Sequence, residues 1–158
     1  MKAHSKLAVI CLGLVSLTSA WLAAQTSDLE IDAGRILWQA HKNTEKYLGR
    51  PVKILPPRIP AEGWEYQYRD GSGTVGSKQR VLSLVYRYKN RPKDIKEALR
   101  KVGLPTGTPP LDFGTSFIWP ARGFTTRPFR FKGKTLNRVI LAKDFSEIEI
   151  DGHKPGSY

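Results

Sequence analysis

Hydrophobic and polar residues along this chain fall into distinct rhythms, and each rhythm predicts a different kind of element. From Ile36 to Leu48 the side chains Ile36, Leu37, Ala40, Thr44, Tyr47 and Leu48 recur at helical spacing, with Arg35, Gln39, Lys42, Asn43 and Lys46 on the other side. Gly49 and Pro51 end that helix, the first as a left-handed cap and the second because proline cannot continue it. A second helical stripe, Ile95, Ala98, Leu99 and Val102, opens at Asn90 and Pro92 and closes at Gly103 and Pro105.

The spacing elsewhere is that of strands. Trp64, Tyr66 and Tyr68 alternate with Glu65, Gln67 and Arg69; Leu82, Leu84, Tyr86 and Tyr88 alternate with Val81, Ser83, Val85 and Arg87. These two strands are expected to pair antiparallel, with Asp70 to Ser77, rich in glycine, as a flexible hairpin loop between them. The aromatic set then reads either as core under the helices or as an exposed row for sugar rings or a proline-rich segment. Phe113 to Trp119 and Phe124 to Phe131 read as short edge strands because Pro120 and Pro128 suit edges. Lys132-Gly133-Lys134 reads as a turn, Leu136 to Ala142 as a strand, and Phe145 to Ile150 as a last strand with Ile148 and Ile150 inward and Glu147, Glu149 and Asp151 outward. The fold class is α+β: two helices packed on an antiparallel sheet. Gly49-Arg50-Pro51 and Gly103-Leu104-Pro105, about 54 residues apart, point to a duplicated helix-and-strands unit.

The first residues have a third rhythm. Lys2 and Lys6 precede an apolar run from Leu7 to Ala24 with the charge, length and small-residue ending of a secretory signal, cleaved after Ala24 or, alternatively, Ala20. An uncleaved N-terminal anchor is the other reading. Cys11 is the only cysteine, and Ile10 before it does not suit a lipidation site. The expected organisation is residues 1–24 signal, 25–33 N-terminal tether, 34–151 a single α+β domain and 152–158 a flexible tail. A mature chain without cysteine has neither a disulfide framework nor a thiolate metal site, so its stability rests on packing.

Charge narrows the partners. The chain carries 26 Lys and Arg against 14 Asp and Glu, a net charge of +12. Outside a cell such a balance favours acidic envelope surfaces or polyanions, with a peripheral membrane association as one form; nucleic acid is not expected. Solubility alone also accounts for a basic surface. Arg122, Arg127, Arg130, Lys132, Lys134 and Arg138 lie in a stretch that contains no acid, interleaved with Phe124, Phe129 and Phe131. They are the candidate anion-binding residues. In the competing reading the phenylalanines are core and the cations are the wet face of the same strands. A second basic run is Arg87, Lys89, Arg91, Lys93, Lys96, Arg100 and Lys101; both runs on one face would make an anion platform.

Catalytic chemistry is poorly supplied. His41 and His153 are the histidines beyond the signal, and no serine sits in a nucleophile-elbow setting. Glu147, Glu149 and Asp151 could serve hydrolysis or, with His153, hold a divalent cation, but a solvated strand face explains them as well, and their spacing matches no cation loop. Gly133-Lys134-Thr135 has the ending of a phosphate loop without its first glycine, since Pro128 stands there. No cofactor, no metal and no catalytic residue are expected.

The helix end Tyr47-Leu48-Gly49-Arg50-Pro51 followed by Trp64-Glu65-Tyr66-Gln67-Tyr68 resembles the "LGxP … W-x-Y-x-Y" pattern of small exported α+β modules, the SmpA-type outer-membrane-assembly lipoproteins and the β-lactamase-inhibitor-like proteins. What the resemblance implies is a binding or scaffolding module of the cell envelope without catalysis; no site residue is carried across. The expected function is an exported, non-catalytic binding or assembly module with a basic surface for an anionic envelope component or another envelope protein. Alternatives are a hydrolase of wall or extracellular polymer, built on His41, His153 or the Glu147 and Glu149 pair, and an inhibitor presenting the Gly71 to Ser77 loop.

Overall fold

A computed structural model describes residues 28–58, 63–76, 78–120 and 129–153. The expected signal, Arg122, Arg127, Phe124 and the tail residues 154–158 lie outside the described residues.

The strands are β1 (Lys53–Leu55), β2 (Trp64–Tyr68), β3 (Gly71–Val75), β4 (Val81–Arg87), β5 (Leu111–Asp112), β6 (Ser116–Pro120), β7 (Arg130–Phe131), β8 (Lys134–Thr135), β9 (Arg138–Ala142) and β10 (Glu147–Asp151). Among the described residues eight of them form one antiparallel sheet in the order β1-β2-β3-β4-β10-β9-β6-β5, and β7 pairs with β8 apart from it. The helices are α1 (Glu45–Leu48) and α2 (Ile95–Lys101). The fold is α+β and mostly β.

The strand order carries the duplication that the glycine and proline echoes point to. A helical segment followed by a four-stranded meander occurs twice, and the last strands of the two meanders, β4 and β10, pair antiparallel at the centre with Glu149 opposite Val85. The β7-β8 hairpin interrupts the second meander between β6 and β9. The aromatic strand β2 has a counterpart in β6, where Phe117 and Trp119 occupy the core-side positions.

One face of the sheet makes the core. Cross-strand partners Ile148 and Tyr86, Ile150 and Leu84, and Val139 and Trp119 are all buried, and α2 lays Ala98 and Leu99 on the same cluster, with Val102 following. Such a two-sided periodicity, apolar beneath the helices and mixed on the opposite face, is what an antiparallel sheet with one solvated side requires. Removing one of these fully buried side chains, for instance Ile148→Ala, costs roughly 2–5 kcal/mol.

Several elements depart from the sequence pattern for identifiable reasons. The expected continuous helix over 36–48 is divided into 3₁₀ turns at Ala33–Arg35 and His41–Asn43 and the short α1. Between the turns, Trp38 has φ 63° and its N–H donates to the Val81 carbonyl at 2.7 Å; Val81 N–H donates back to Gln39 and His41 N–H to Gln79. Bonding to the β3-β4 connection replaces the helical ladder, a tertiary gain that outweighs local propensity. Gly49, at φ 77°, ends α1 as expected.

Gly71–Val75 is strand β3, not a loop, and it separates β2 from β4, so those two do not pair directly. Gly71 lies opposite both Tyr68 and Tyr86, and a Cβ there would stand 2.1 Å from the Val85 carbonyl oxygen. The glycine lets the strands approach, which is why a glycine-rich segment is a central strand here. A register irregularity between Thr74 and Val75 shifts the alternation, burying Val81 in place of Leu82.

Helix α2 begins later than Asn90. Its cap is Asp94, whose carboxylate accepts from Glu97 N–H at 2.7 Å, while Glu97 accepts from Lys93 N–H. Asp151, expected outward, is buried, accepting from Asn137 Nδ2 at 2.6 Å. The expected tether is also partly built in: Ile31 and Ala33 belong to the core.

Candidate functional site

The β3-β4 and β7-β8 connections reach towards the same stretch of the N-terminal helical segment. Between them lies an open groove of ≈ 600 Å³. Lys78 and Arg80 come from the first connection and Lys132 and Lys134 from the second; Trp38, Gly34 and Asn43 belong to the helical segment. Among the described residues no acid lines it. None of the four cations has an ion-pair partner among the described residues, and all four are exposed.

Local chemistry places each lysine. The two-residue turn Lys132-Gly133 has positive φ at both positions, 48° and 76°, the geometry of a tight hairpin. Lys134 Nζ lies 4.5 Å from the Trp38 ring centroid and Lys132 Nζ 5.8 Å from that of Phe131. Cation-π contact holds both chains without neutralising them. Trp38 is itself fixed by donation from Nε1 to the Gly152 carbonyl at 2.7 Å. Three groove residues, Trp38, Gln79 and Lys132, are non-glycine residues with φ between 48° and 63°. That conformation costs of order 1–3 kcal/mol per residue and persists only where surrounding structure enforces it.

The sequence candidates separate. Lys132 and Lys134 line the groove; Arg130 is exposed on β7 outside its lining. Arg138 is engaged with Glu149 at 2.7 Å. Phe129 and Phe131 are buried, so they support the hairpin from below. Lys78 and Arg80 were missed because they belong to the other half of the chain; their only local signal is a pair of cations two apart, with no acid in the neighbouring turn. The second basic run is largely answered by acids: Arg87 with Glu147, Lys89 with Asp70, Arg91 with Asp144, and Lys101 with Glu30 and Glu97.

Glu30 is the most heavily bonded of these acids. Its carboxylate accepts from Lys101 Nζ at 3.0 Å, Lys89 N–H at 2.9 Å, Asn90 N–H at 3.2 Å and the Tyr86 hydroxyl at 3.1 Å. Burial alone would raise its pKa, but these donors outweigh burial and hold it below the ordinary glutamate value.

The residues considered for hydrolysis are otherwise occupied. His41 packs on the Tyr66 ring at 3.9 Å with Nε2 3.1 Å from the Tyr68 hydroxyl, and burial lowers its pKa against a smaller opposing pull from Glu45. Burial likewise pushes the Tyr68 hydroxyl up to about 12. His153 Nδ1 lies 2.6 Å from Asp151, whereas Glu147 and Glu149 each face a different arginine. Among the described residues no group of three or more His, Cys, Asp or Glu is arranged to hold a metal ion. The molecule is thus an α+β protein with a basic groove at the hairpin end of its sheet. Comparison with protein-family models, curated proteins and solved structures finds no match.

Proposed function

We propose that this protein is an exported, non-catalytic binding or assembly module of a bacterial-type cell envelope, and that it holds an anionic partner in the Lys78, Arg80, Lys132 and Lys134 groove. The observation that carries this reading is four cations from two connections around one groove without a lining acid. Charge of one sign in a concave surface concentrates the opposite charge there. The resemblance of Tyr47–Pro51 and Trp64–Tyr68 to SmpA-type and β-lactamase-inhibitor-like modules implies a binding role as well.

The test is binding of heparin, lipopolysaccharide and acidic wall polymers across a salt series, with Lys132→Glu/Lys134→Glu beside Lys93→Glu/Lys96→Glu. Both double variants change net charge equally, so only a groove-centred site makes the first lose affinity selectively. Equal losses from the two variants, or no binding at low salt, would overturn the reading and direct attention to a protein partner.

A further inference from the structure

Resting on that groove reading, we infer that Gly34 and Trp38 are its positioning residues: the stretch they bound is a platform that holds the Lys132 and Lys134 amines in place before any anion arrives. Both contacts join the β7-β8 hairpin to the same N-terminal stretch. A Cβ at Gly34 would stand 2.3 Å from Lys132 Cε, 2.4 Å from its Nζ and 2.9 Å from its Cδ. The end of the lysine therefore lies on the bare backbone of the 3₁₀ turn, a course that a side chain at this position would block. Lys134 Nζ is carried by the Trp38 ring, 4.5 Å from its centroid. Neither a glycine backbone nor an indole brings a counter-charge, so both amines keep their attraction for an anion.

The platform is itself fixed. Gly34 N–H donates to the Asp32 carboxylate at 2.9 Å, and the other oxygen of that carboxylate faces Arg35 Nε at 3.3 Å, so the acid of this turn is engaged within the turn. Trp38 is held at its backbone by donation to the Val81 carbonyl and at its indole by donation to that of Gly152, both at 2.7 Å. Behind the indole, a Cβ at Gly152 would stand 2.9 Å from Nε1. Immobilising a flexible lysine on binding weakens affinity by roughly two- to tenfold, and a lysine already held avoids most of that loss. Because the atoms in the way of a Cβ at Gly34 are the far end of a flexible side chain, Gly34→Ala turns Lys132 aside without forcing the turn apart. Net charge is unchanged.

The experiment is a pair of double-mutant cycles, Gly34→Ala with Lys132→Gln and Trp38→Leu with Lys134→Gln. They are read by calorimetric titration of the full chain with heparin, lipopolysaccharide and acidic wall polymer, and thermal denaturation of each variant is run alongside. In the otherwise unaltered chain Gly34→Ala and Trp38→Leu should each lose roughly two- to tenfold in affinity at low salt, and nothing further once the lysine they hold is glutamine. In an Arg80→Gln background, where both lysines remain, each should keep its full loss. A merely structural role would weaken binding by the same factor with or without the lysine, and that result would overturn the inference. Unchanged or tighter binding in Gly34→Ala beside a clear loss in Lys132→Gln would overturn it too, leaving an anion groove without a platform. Coupling in one cycle alone would overturn the shared platform, and Gly34→Ala, the milder change, decides the outcome if Trp38→Leu does not fold. No binding of any of the three polyanions, or equal losses from the groove and α2 charge reversals, would overturn the groove reading and this inference with it.

Discussion

The two basic runs of this chain look alike in one dimension and differ in three. Arg87 to Lys101 contains more cations, yet acids brought in by folding answer four of them, and Glu30 and Lys101 face each other with side chains only 11% and 8% exposed. Among the described residues the groove around Lys132 and Lys134 gathers fewer cations and no acid. In the first region charge serves structure, clamping residues 28–33 to the helix end; in the second it remains available. The number of basic residues is therefore a poor guide to an anion site, and the acids that register and packing bring alongside are a better one.

The largest test of this contrast removes the counter-charge from the structural region. Glu30→Gln leaves Lys101 buried with only the more distant Glu97, at 3.8 Å, and should cost about 3 kcal/mol in chemical denaturation. Its pH behaviour is equally specific. A carboxylate whose folded pKa is lowered adds stability that is present above its unfolded value and is lost as pH falls through the folded one. The wild type should weaken across that acidic interval, and Glu30→Gln should remove this part of the slope. An unchanged denaturation midpoint in the variant would reduce the clamp to an incidental contact.

The next test reverses the available charges. Lys132→Glu/Lys134→Glu should weaken polyanion binding on the order of tenfold or more, about 1.4 kcal/mol, while costing folding stability no more than about 1–2 kcal/mol, the worth of two exposed cation-π contacts. The opposite pattern, a large stability loss with unchanged binding, would exchange the roles assigned to the two regions.

How far the sequence could go follows from which interactions are local. The α2 stripe, the inward Ile148 and Ile150 and the Lys132-Gly133 turn are set by neighbouring residues, and all were legible. The division of the 36–48 segment was not, because its cause is hydrogen bonding of Trp38, Gln39 and His41 to residues 79–81. Nor was β3, whose glycines are explained only by strands on either side. The groove was half legible for the same reason. Lys132 and Lys134 stand out in a run without acids, whereas Lys78 and Arg80 are joined to them only by the fold, and the pairing of Arg138 with Glu149 on the adjacent strand is equally invisible along the chain.

His41 offers a smaller and differently signed comparison with the groove cations, since burial disfavours its charge. A histidine with a lowered folded pKa leaves stability intact above the ordinary histidine value and reduces it as pH falls below that value, because the unfolded chain takes up the proton more readily. His41→Gln should cost about 1 kcal/mol at neutral pH through the contact with the Tyr68 hydroxyl, and should flatten the dependence just below neutrality. Retention of the full dependence would rule out His41 as its source.

The smallest effect belongs to Arg138 and Glu149, and it is the sharpest on the meaning of a paired cation. Their side chains are 47% and 34% exposed, so water screens the pair despite its 2.7 Å separation. A double-mutant cycle with Arg138→Gln and Glu149→Gln should return a coupling of about 0.5 kcal/mol in stability. Glu149→Gln alone also removes a negative charge from beside Arg138 on the open face of the sheet. If availability of charge were all that anion binding required, that variant would bind polyanions more tightly. Should affinity stay unchanged, position within the groove is what matters, because Arg138 is not among the residues that line it.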